Sequence, residues 1–106
     1  MKVQASDWQW LDARDTLAAD ELCRVCRITL EELDEIVAYG AISPVPSQPR
    51  MFAADWLMPL RTATRLRHDF DLDLFAVGLI LDYLHRIDEL EGEVRSLRAH
   101  LPSHSR

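Results

Sequence analysis

The last third of the chain carries an apolar repeat that constrains the fold more than any other feature. Apolar residues recur there in alternating steps of three and four, which is the heptad spacing of a coiled-coil seam. The seam positions are Ile80, Tyr83, Ile87, Leu90, Val94, Leu97 and Leu101. The pattern predicts one helix over residues 74–101, about 42 Å long at about 1.5 Å per residue. A small domain cannot cover such a stripe alone, so we expect a homodimer.

The start of this helix also has sequence signals. Asp73 is placed to cap it, and Leu72 and Val77 have the spacing of a hydrophobic staple. Gly78 and Gly92 fall at the outermost heptad position, where a missing side chain removes no core contact. We expect the first third of the helix to pack on its own domain. The part from residue 83 onward would pair with a second copy, in a parallel or antiparallel sense.

Two short helices are predicted upstream of the long one. The stretch "LAADELCRVC", residues 17–26, has one apolar stripe at helical spacing, and "TLEELDEIVAYG" follows after a short break. In the second stretch Thr29 and Glu32 form a capping box, and Gly40 stands where a left-handed residue ends a helix. Two short helices joined by about three residues predict a helix-turn-helix.

The next segment cannot be helical throughout. "ISPVPSQPRMF", residues 42–52, holds three prolines, so we expect a wing, either a loop or a small hairpin. Residues 53–70 then predict a third helix. Pro59 is unfavourable inside a helix, so either the helix is kinked or its true start lies near Met58.

Charge and composition limit the function. The chain has 106 residues, a net charge of −6 and a pI of about 5.1, which predicts one small domain repelled by nucleic acid and anionic membranes. No signal peptide and no run of roughly 20 apolar residues is apparent. We therefore expect a cytoplasmic protein without membrane or nucleic-acid partners. No phosphate loop, nucleophile elbow or metal motif is present, so we expect neither an enzyme nor a cofactor.

The cysteine pair invites a metal or redox interpretation. Cys23 and Cys26 form a C-x-x-C, but tetrahedral zinc needs four ligands and the chain has no other cysteine. The four histidines do not match a ligand spacing, and the pair lies within a predicted helix and not at its start. We expect two buried, small apolar side chains in a reducing compartment.

The order of predicted elements resembles the MerR-type winged-helix family. That resemblance implies an all-α fold with an N-terminal arm and winged helix-turn-helix body over residues 1–73. A dimerisation helix with a coiled-coil end would cover residues 74–101 and a flexible tail residues 102–106. More narrowly, "ELDEIVAYGAISP", "RLRHDFDLD" and "RIDELEGEVRSLRAHL" resemble the CbpM family of chaperone modulatory proteins, over most of the chain.

The resemblance implies a function that composition does not reveal. CbpM-family proteins bind the J-domain of a DnaJ-like co-chaperone, CbpA, and prevent it from stimulating the DnaK-type ATPase. They are not enzymes, and the resemblance allows nucleoid association through that partner. The alternative is a MerR-like transcription regulator that binds DNA.

Acidic residues in the second helix bear on that choice. No lysine or arginine stands between Thr29 and Tyr39, and a DNA-reading helix needs cations to neutralise phosphates. The acids form either a solvated face, with Glu32 as a cap, or a docking surface for the basic second helix of a J-domain. Asp69 and Asp71, with the cap candidate Asp73, would serve the local structure or extend that surface. The partner-binding candidates are Glu31, Glu32, Asp34, Glu35, Asp69 and Asp71.

Basic residues between the wing and the third helix are the strongest sequence argument for nucleic acid. They are Arg50, Arg61, Arg65, Arg67 and His68. Arg61 and Arg65 are one helical turn apart and share a face. These side chains either contact phosphates or pair with the many carboxylates of the chain, and the overall acidity favours pairing.

Overall fold

The computed structural model describes residues 15–101. The start of the expected N-terminal arm, which contains Trp8 and Trp10, and the expected flexible tail 102–106 lie outside the described residues. In chain order the elements are β1 (Thr16–Ala18), α1 (Ala19–Cys26), α2 (Leu30–Ala38), β2 (Met51–Ala53), a 3-10 turn (Ala54–Trp56), α3 (Leu57–Phe70) and α4 (Leu74–Ala99). Four α-helices with one small sheet confirm the predicted winged helix-turn-helix class. None of these helices is both long and apolar enough to cross a bilayer.

A two-stranded antiparallel sheet joins the start of the body to the base of the wing. Leu17 of β1 is paired with Phe52 of β2, and both side chains are buried. The prediction that helix starts at residue 17 was therefore wrong, because the backbone of Thr16–Ala18 hydrogen-bonds across to β2. Ala19 begins α1, and its N–H donates to the carbonyl of Arg50 at 2.8 Å. The segment between α2 and β2 is a wing loop with one isolated bridge, from Val45 to Gln48.

The helix-turn-helix forms as its capping signals predicted. α1 ends at Arg27, whose backbone is left-handed with φ 61°. Thr29 Oγ1 accepts from the Glu32 N–H at 3.0 Å, and Glu32 Oε1 accepts from the Thr29 N–H at 3.0 Å. This reciprocal capping box satisfies two amides that lack partners within the helix. The chain then leaves α2 through Gly40 at φ 83°.

Pro59 marks the start of α3. The helix begins at Leu57, so the proline is its third residue. The first four amides of a helix have no acceptor within it, and a proline there removes no hydrogen bond. The alternative that placed the helix start near Met58 is therefore confirmed.

All four helices contribute to one core. Its largest fully buried side chains are Leu22, Leu33, Ile36, Ile42, Leu57, Leu60, Val77 and Leu81. Each such side chain contributes roughly 1.5–3 kcal/mol of transfer free energy. Since Val77 and Leu81 belong to α4, the first part of the long helix is an integral part of the winged-helix body.

The junction into α4 follows the predicted cap. The side chain of Asp73 accepts from the Ala76 N–H at 2.8 Å. Gly78 does not lie on the outer face as expected: it is buried, and an added Cβ would lie 3.4 Å from Tyr39 Cδ2 and 3.6 Å from the Ala41 side chain. At this level of α4 the side chain of Val77 faces the body. The face of α4 that packs on the body is therefore different from the heptad seam.

The heptad seam divides at the edge of the body. Ile80 is half-buried and packs against the core, so this first seam residue stabilises the body. The residues beyond it are Tyr83, Ile87, Leu90, Val94, Leu97 and Leu101, between 45% and 67% exposed. The single chain therefore leaves this stretch of the seam uncovered, and the dimer stays a prediction.

Candidate protein-binding surface

The outer face of α2 is acidic because its inner face belongs to the core. Leu33 and Ile36 are buried, so residues at the intervening helical positions point away from the body. Glu31, Asp34 and Glu35 are all exposed. These three predicted partner-binding residues therefore share one solvent-facing surface, which we call the acidic face.

Glu32 behaves differently from its neighbours. Its Oε1 caps Thr29, and its Oε2 forms an ion pair with the Arg67 guanidinium at 2.9 Å. The hydrogen bond from Arg67, followed by that from the Thr29 amide, lowers the pKa of the Glu32 carboxyl below its usual range. Both oxygens are thus engaged within the chain, and the carboxylate joins α2 to α3.

A patch of exposed apolar side chains lies beside the acidic face. Tyr39 and Phe75 pack edge to face, with ring centroids 5.5 Å apart and planes at 83°. Tyr39, Phe75 and Leu79 are 43%, 56% and 47% exposed, and they border a shallow hollow together with Gly78 and Asp82. We call these three residues the aromatic patch.

The aromatic patch and the acidic face are directly connected. The Tyr39 hydroxyl donates to Glu35 Oε2 at 3.0 Å, and this bond raises the pKa of the tyrosine. Asp73 acts in the same direction on that pKa, so the cap of α4 also lies near the ring. The patch is therefore apolar at its centre and bordered by carboxylates.

Sequence reasoning missed the aromatic patch. The expectation that the first third of the long helix packs on its own domain is wrong for Phe75 and Leu79, which are exposed. Because Val77 and Leu81 face the core, these two residues and Asp82 turn to a different side of α4. Their spacing of four and three was the available signal, but only the packing of α4 on α2 places Tyr39 beside them.

The second predicted acidic cluster has a mixed role. Asp69 and Asp71 are exposed. Asp71 ends α3 in a left-handed conformation with φ 55° and lines a hollow with Arg67 and His68. Asp73 is the α4 cap. Asp71 and Asp73 therefore belong to the turn between α3 and α4, Asp69 lies in the last turn of α3, and Asp71 borders basic side chains.

The two cysteines confirm the apolar interpretation. Both are buried and free. Burial raises the pKa of Cys23 to about 11 and that of Cys26 to about 12, so neither thiol forms a thiolate at neutral pH. Within residues 15–101 no group of three or more histidine, cysteine or acidic side chains is arranged to hold a metal ion.

One histidine has a structural role that the sequence did not indicate. His85 of α4 stacks on Trp56 with ring centroids 3.6 Å apart and planes at 10°. Its Nε2 lies 3.7 Å from Asp55 Oδ2, and its Nδ1 lies 3.8 Å from Glu89. These contacts hold α4 against the turn that precedes α3, at the point where the helix leaves the body.

Comparisons with known proteins agree with the helix-turn-helix fold. A family model described as "MerR HTH family regulatory protein" matches residues 17–99. Proteins named "Chaperone modulatory protein CbpM" from Escherichia coli O1:K1 / APEC and from Escherichia coli O139:H28 (strain E24377A / ETEC) are each 33% identical over 88 residues. The match covers 81% of this chain and 87% of each relative. The chain belongs to the CbpM family. No solved structure gives a significant match.

Family membership confirms the relationship expected from the residues. The name shared by the CbpM relatives supports a chaperone-modulating role for this chain. In this CbpM-family member the acidic face of α2 lies beside the aromatic patch.

Proposed function

We propose that this protein binds the J-domain of a CbpA-type co-chaperone and prevents it from stimulating a DnaK-type chaperone. The observation that carries the proposal is the acidic face of α2 joined to an exposed aromatic patch. A basic amphipathic helix, as J-domains typically present, is complementary to both parts. Chaperone modulation in the related CbpM proteins supports the same assignment.

Charge and apolar contact have separate tasks in this proposal. Glu31, Asp34 and Glu35 attract a basic helix from solution and orient it, since complementary charge mainly raises the association rate and selects the register. Phe75 and Leu79 then bury apolar area, which keeps the complex together. Exposed aromatic side chains surrounded by polar ones are typical anchors of protein interfaces.

The proposed mechanism is occlusion and involves no covalent step. The J-domain uses its basic face to engage the DnaK-type chaperone. A modulator that covers that face removes the J-domain from the chaperone cycle in proportion to the complex formed. The extent of inhibition therefore follows binding affinity and concentration.

The long helix adds a second proposed contact, between two copies of the chain. The exposed seam from Tyr83 to Leu101 is apolar and continuous, and contiguous exposed apolar surface is typical of interaction sites. We propose that it forms a homodimeric coiled coil that holds two modulator bodies together. Ile80 lies outside this contact because it packs on the body.

Calorimetric titration with a purified J-domain at physiological salt tests the proposal. Glu31→Lys combined with Glu35→Lys is expected to weaken J-domain binding about tenfold or more, because a basic helix then associates more slowly. Asp20→Lys combined with Asp88→Lys is the matched control: it changes the net charge equally at exposed positions outside the surface. The absence of J-domain binding by the unmodified chain would overturn the proposal.

The apolar half of the surface needs its own variant. Phe75→Ser is expected to speed dissociation, because an apolar anchor is lost, while association stays nearly unchanged. Its side chain is mostly exposed, so the melting temperature should hold. If Phe75→Ser and the charge reversals both leave J-domain affinity intact, the contact lies elsewhere on the molecule.

A MerR-like DNA-binding regulator is the second candidate, and the description of the matching family model favours it. The exposed carboxylates of α2 argue against it, because they would stand among phosphates in the major groove. Tight, salt-dependent binding to a duplex, weakened by changing Arg50 or Arg61, would support the regulator.

A further inference from the structure

A cleft on another face of the body concentrates positive charge. It lies between the end of α1 and α3 and is lined by Val25, Cys26, Arg27, Arg61, Thr64, Arg65 and His68. We propose that this cationic cleft binds a small anion carrying two or more phosphate groups. Its lining includes no residue of the acidic face or the aromatic patch, so it is a different site from the proposed J-domain contact.

The charge of the cleft contrasts with that of the chain. The protein carries −6 overall, yet none of the described residues that line the cleft is acidic. Arg61, Arg65 and His68 follow one another on α3 at steps of four and three, so they share a face. An adjoining hollow is lined by the same Arg27 and His68 and adds Arg67 together with one carboxylate, that of Asp71.

Most of these basic side chains are available to a ligand. Within residues 15–101, Arg27, Arg65 and His68 form no ion pair with a carboxylate. This finding differs from the expectation that the basic residues are neutralised by the chain, which holds for Arg67 with Glu32. Unpaired arginines at a concave surface form an oxyanion-binding arrangement.

The backbone conformation of Arg27 also supports an anion-binding site. It adopts φ 61° and ψ 47° at the end of α1, a conformation in which glycine or asparagine is favoured over a long side chain. Glycine would terminate the helix with less strain. The arginine instead places a guanidinium at the cleft, where it lines both hollows.

Size and charge select the class of ligand. The cavity of about 360 Å³ lies within the range of small-molecule sites, roughly 300–1,000 Å³. The guanidiniums of Arg27 and Arg65 match a di- or triphosphate better than a single carboxylate, because each fork can take two oxygens. A long duplex fits less well, since Arg67 pairs with Glu32 and so places the acidic α2 next to the cleft.

The first test is calorimetry of the full chain with sodium tripolyphosphate at physiological salt. We expect saturable binding of one tripolyphosphate per chain and weaker binding of orthophosphate. Equal affinity for ATP would identify a nucleotide as the source of the phosphates, and discrimination against ATP would identify an inorganic oligophosphate. Tighter binding of citrate, binding of duplex DNA alone, or no saturable binding would overturn the proposal.

Two cleft variants and one control locate the site. Arg27→Gly keeps the left-handed backbone, and Arg65→Gln changes an exposed position, so both should fold. Each is expected to weaken tripolyphosphate binding about tenfold or more, the loss of one charge-assisted contact. Arg86→Gln, on α4 outside the cleft, should leave tripolyphosphate binding unchanged. Equal losses in all three variants would show diffuse charge attraction and overturn the assigned site.

Discussion

The different roles of neighbouring carboxylates on α2 give the sharpest prediction. Glu32 was expected from sequence to be either a cap or a partner contact, and the structure shows both of its oxygens bound within the chain. Glu32→Gln keeps an oxygen that accepts from the Thr29 amide but removes the charge that attracts Arg67. Glu32→Ala removes both contacts. Comparing the two variants separates capping from ion pairing.

The expected losses of unfolding free energy follow from the geometry of these two contacts. Breaking a capping interaction costs about 1 kcal/mol. The ion pair with Arg67 is worth less, about 0.5 kcal/mol, because both side chains are roughly 30% exposed and water screens their charges. We expect Glu32→Gln to lose about 0.5 kcal/mol and Glu32→Ala about 1.5 kcal/mol. At about 4–8 °C per kcal/mol for a domain of this size, melting temperatures should fall by about 2–4 °C and 6–12 °C.

Urea denaturation followed by circular dichroism measures these losses of unfolding free energy. An unchanged slope of that free energy against urea concentration would show that the variants and the unmodified chain unfold to comparable states. The pKa of Glu32 is lowered by folding, so its extra stability is present above the unfolded-state pKa of about 4.3 and is lost as pH falls through the folded-state pKa. The difference in unfolding free energy between the unmodified chain and Glu32→Gln should therefore disappear in acid. Equal losses in both variants, or a gap that widens in acid, would refute the reasoning.

Three further outcomes are expected from other parts of the chain. Leu90→Asp combined with Leu97→Asp should give monomers by light scattering, and an unchanged mass would refute the proposed coiled coil. Gly92→Ala should stabilise α4 by up to about 1 kcal/mol in thermal melts, since an added Cβ meets only the Arg95 guanidinium, at 3.7 Å. Cys23 and Cys26 should react with a thiol reagent at pH 8 far more slowly than in urea, because burial raises their pKa; equal rates would contradict the buried assignment.

Short-range signals predicted the elements that local chemistry determines. The capping box at Thr29, the left-handed Gly40 and the Asp73 cap each involve residues within a few positions of one another. The partners of these hydrogen bonds are therefore fixed by the local sequence, which is why a short pattern indicates them. α2 and α4 begin within one residue of the predicted positions for this reason.

The sheet was not predictable in the same way. β1 and β2 have three residues each, too few to show an alternating pattern, and their partners are far apart in sequence. Leu17 fits the apolar stripe of α1 equally well as a helical residue. Only the long-range pairing with Phe52 determines which conformation it adopts.

The candidate surface was predicted in part. Charge alone identified Glu31, Asp34 and Glu35, because a helix with Leu33 and Ile36 inside must turn them outward. The aromatic patch required knowledge of how α4 crosses α2. Gly78 shows why: an added Cβ there would lie 3.4 Å from Tyr39 Cδ2, at van der Waals distance from the residue that follows α2, and no local pattern indicates that approach.

The pairing of β1 with β2 has a consequence for how the wing can vary. β1 precedes and β2 follows the segment that contains α1, α2 and the wing loop. Their pairing holds the end of the wing loop against the body, while the tip of the loop faces solvent. Lengthening a loop closed in this way costs little, about 0.6 kcal/mol for each doubling of its length. The wing tip, near Pro46 and Ser47, is therefore the place where this fold can accept inserted residues, or a grafted reporter peptide, without losing its core.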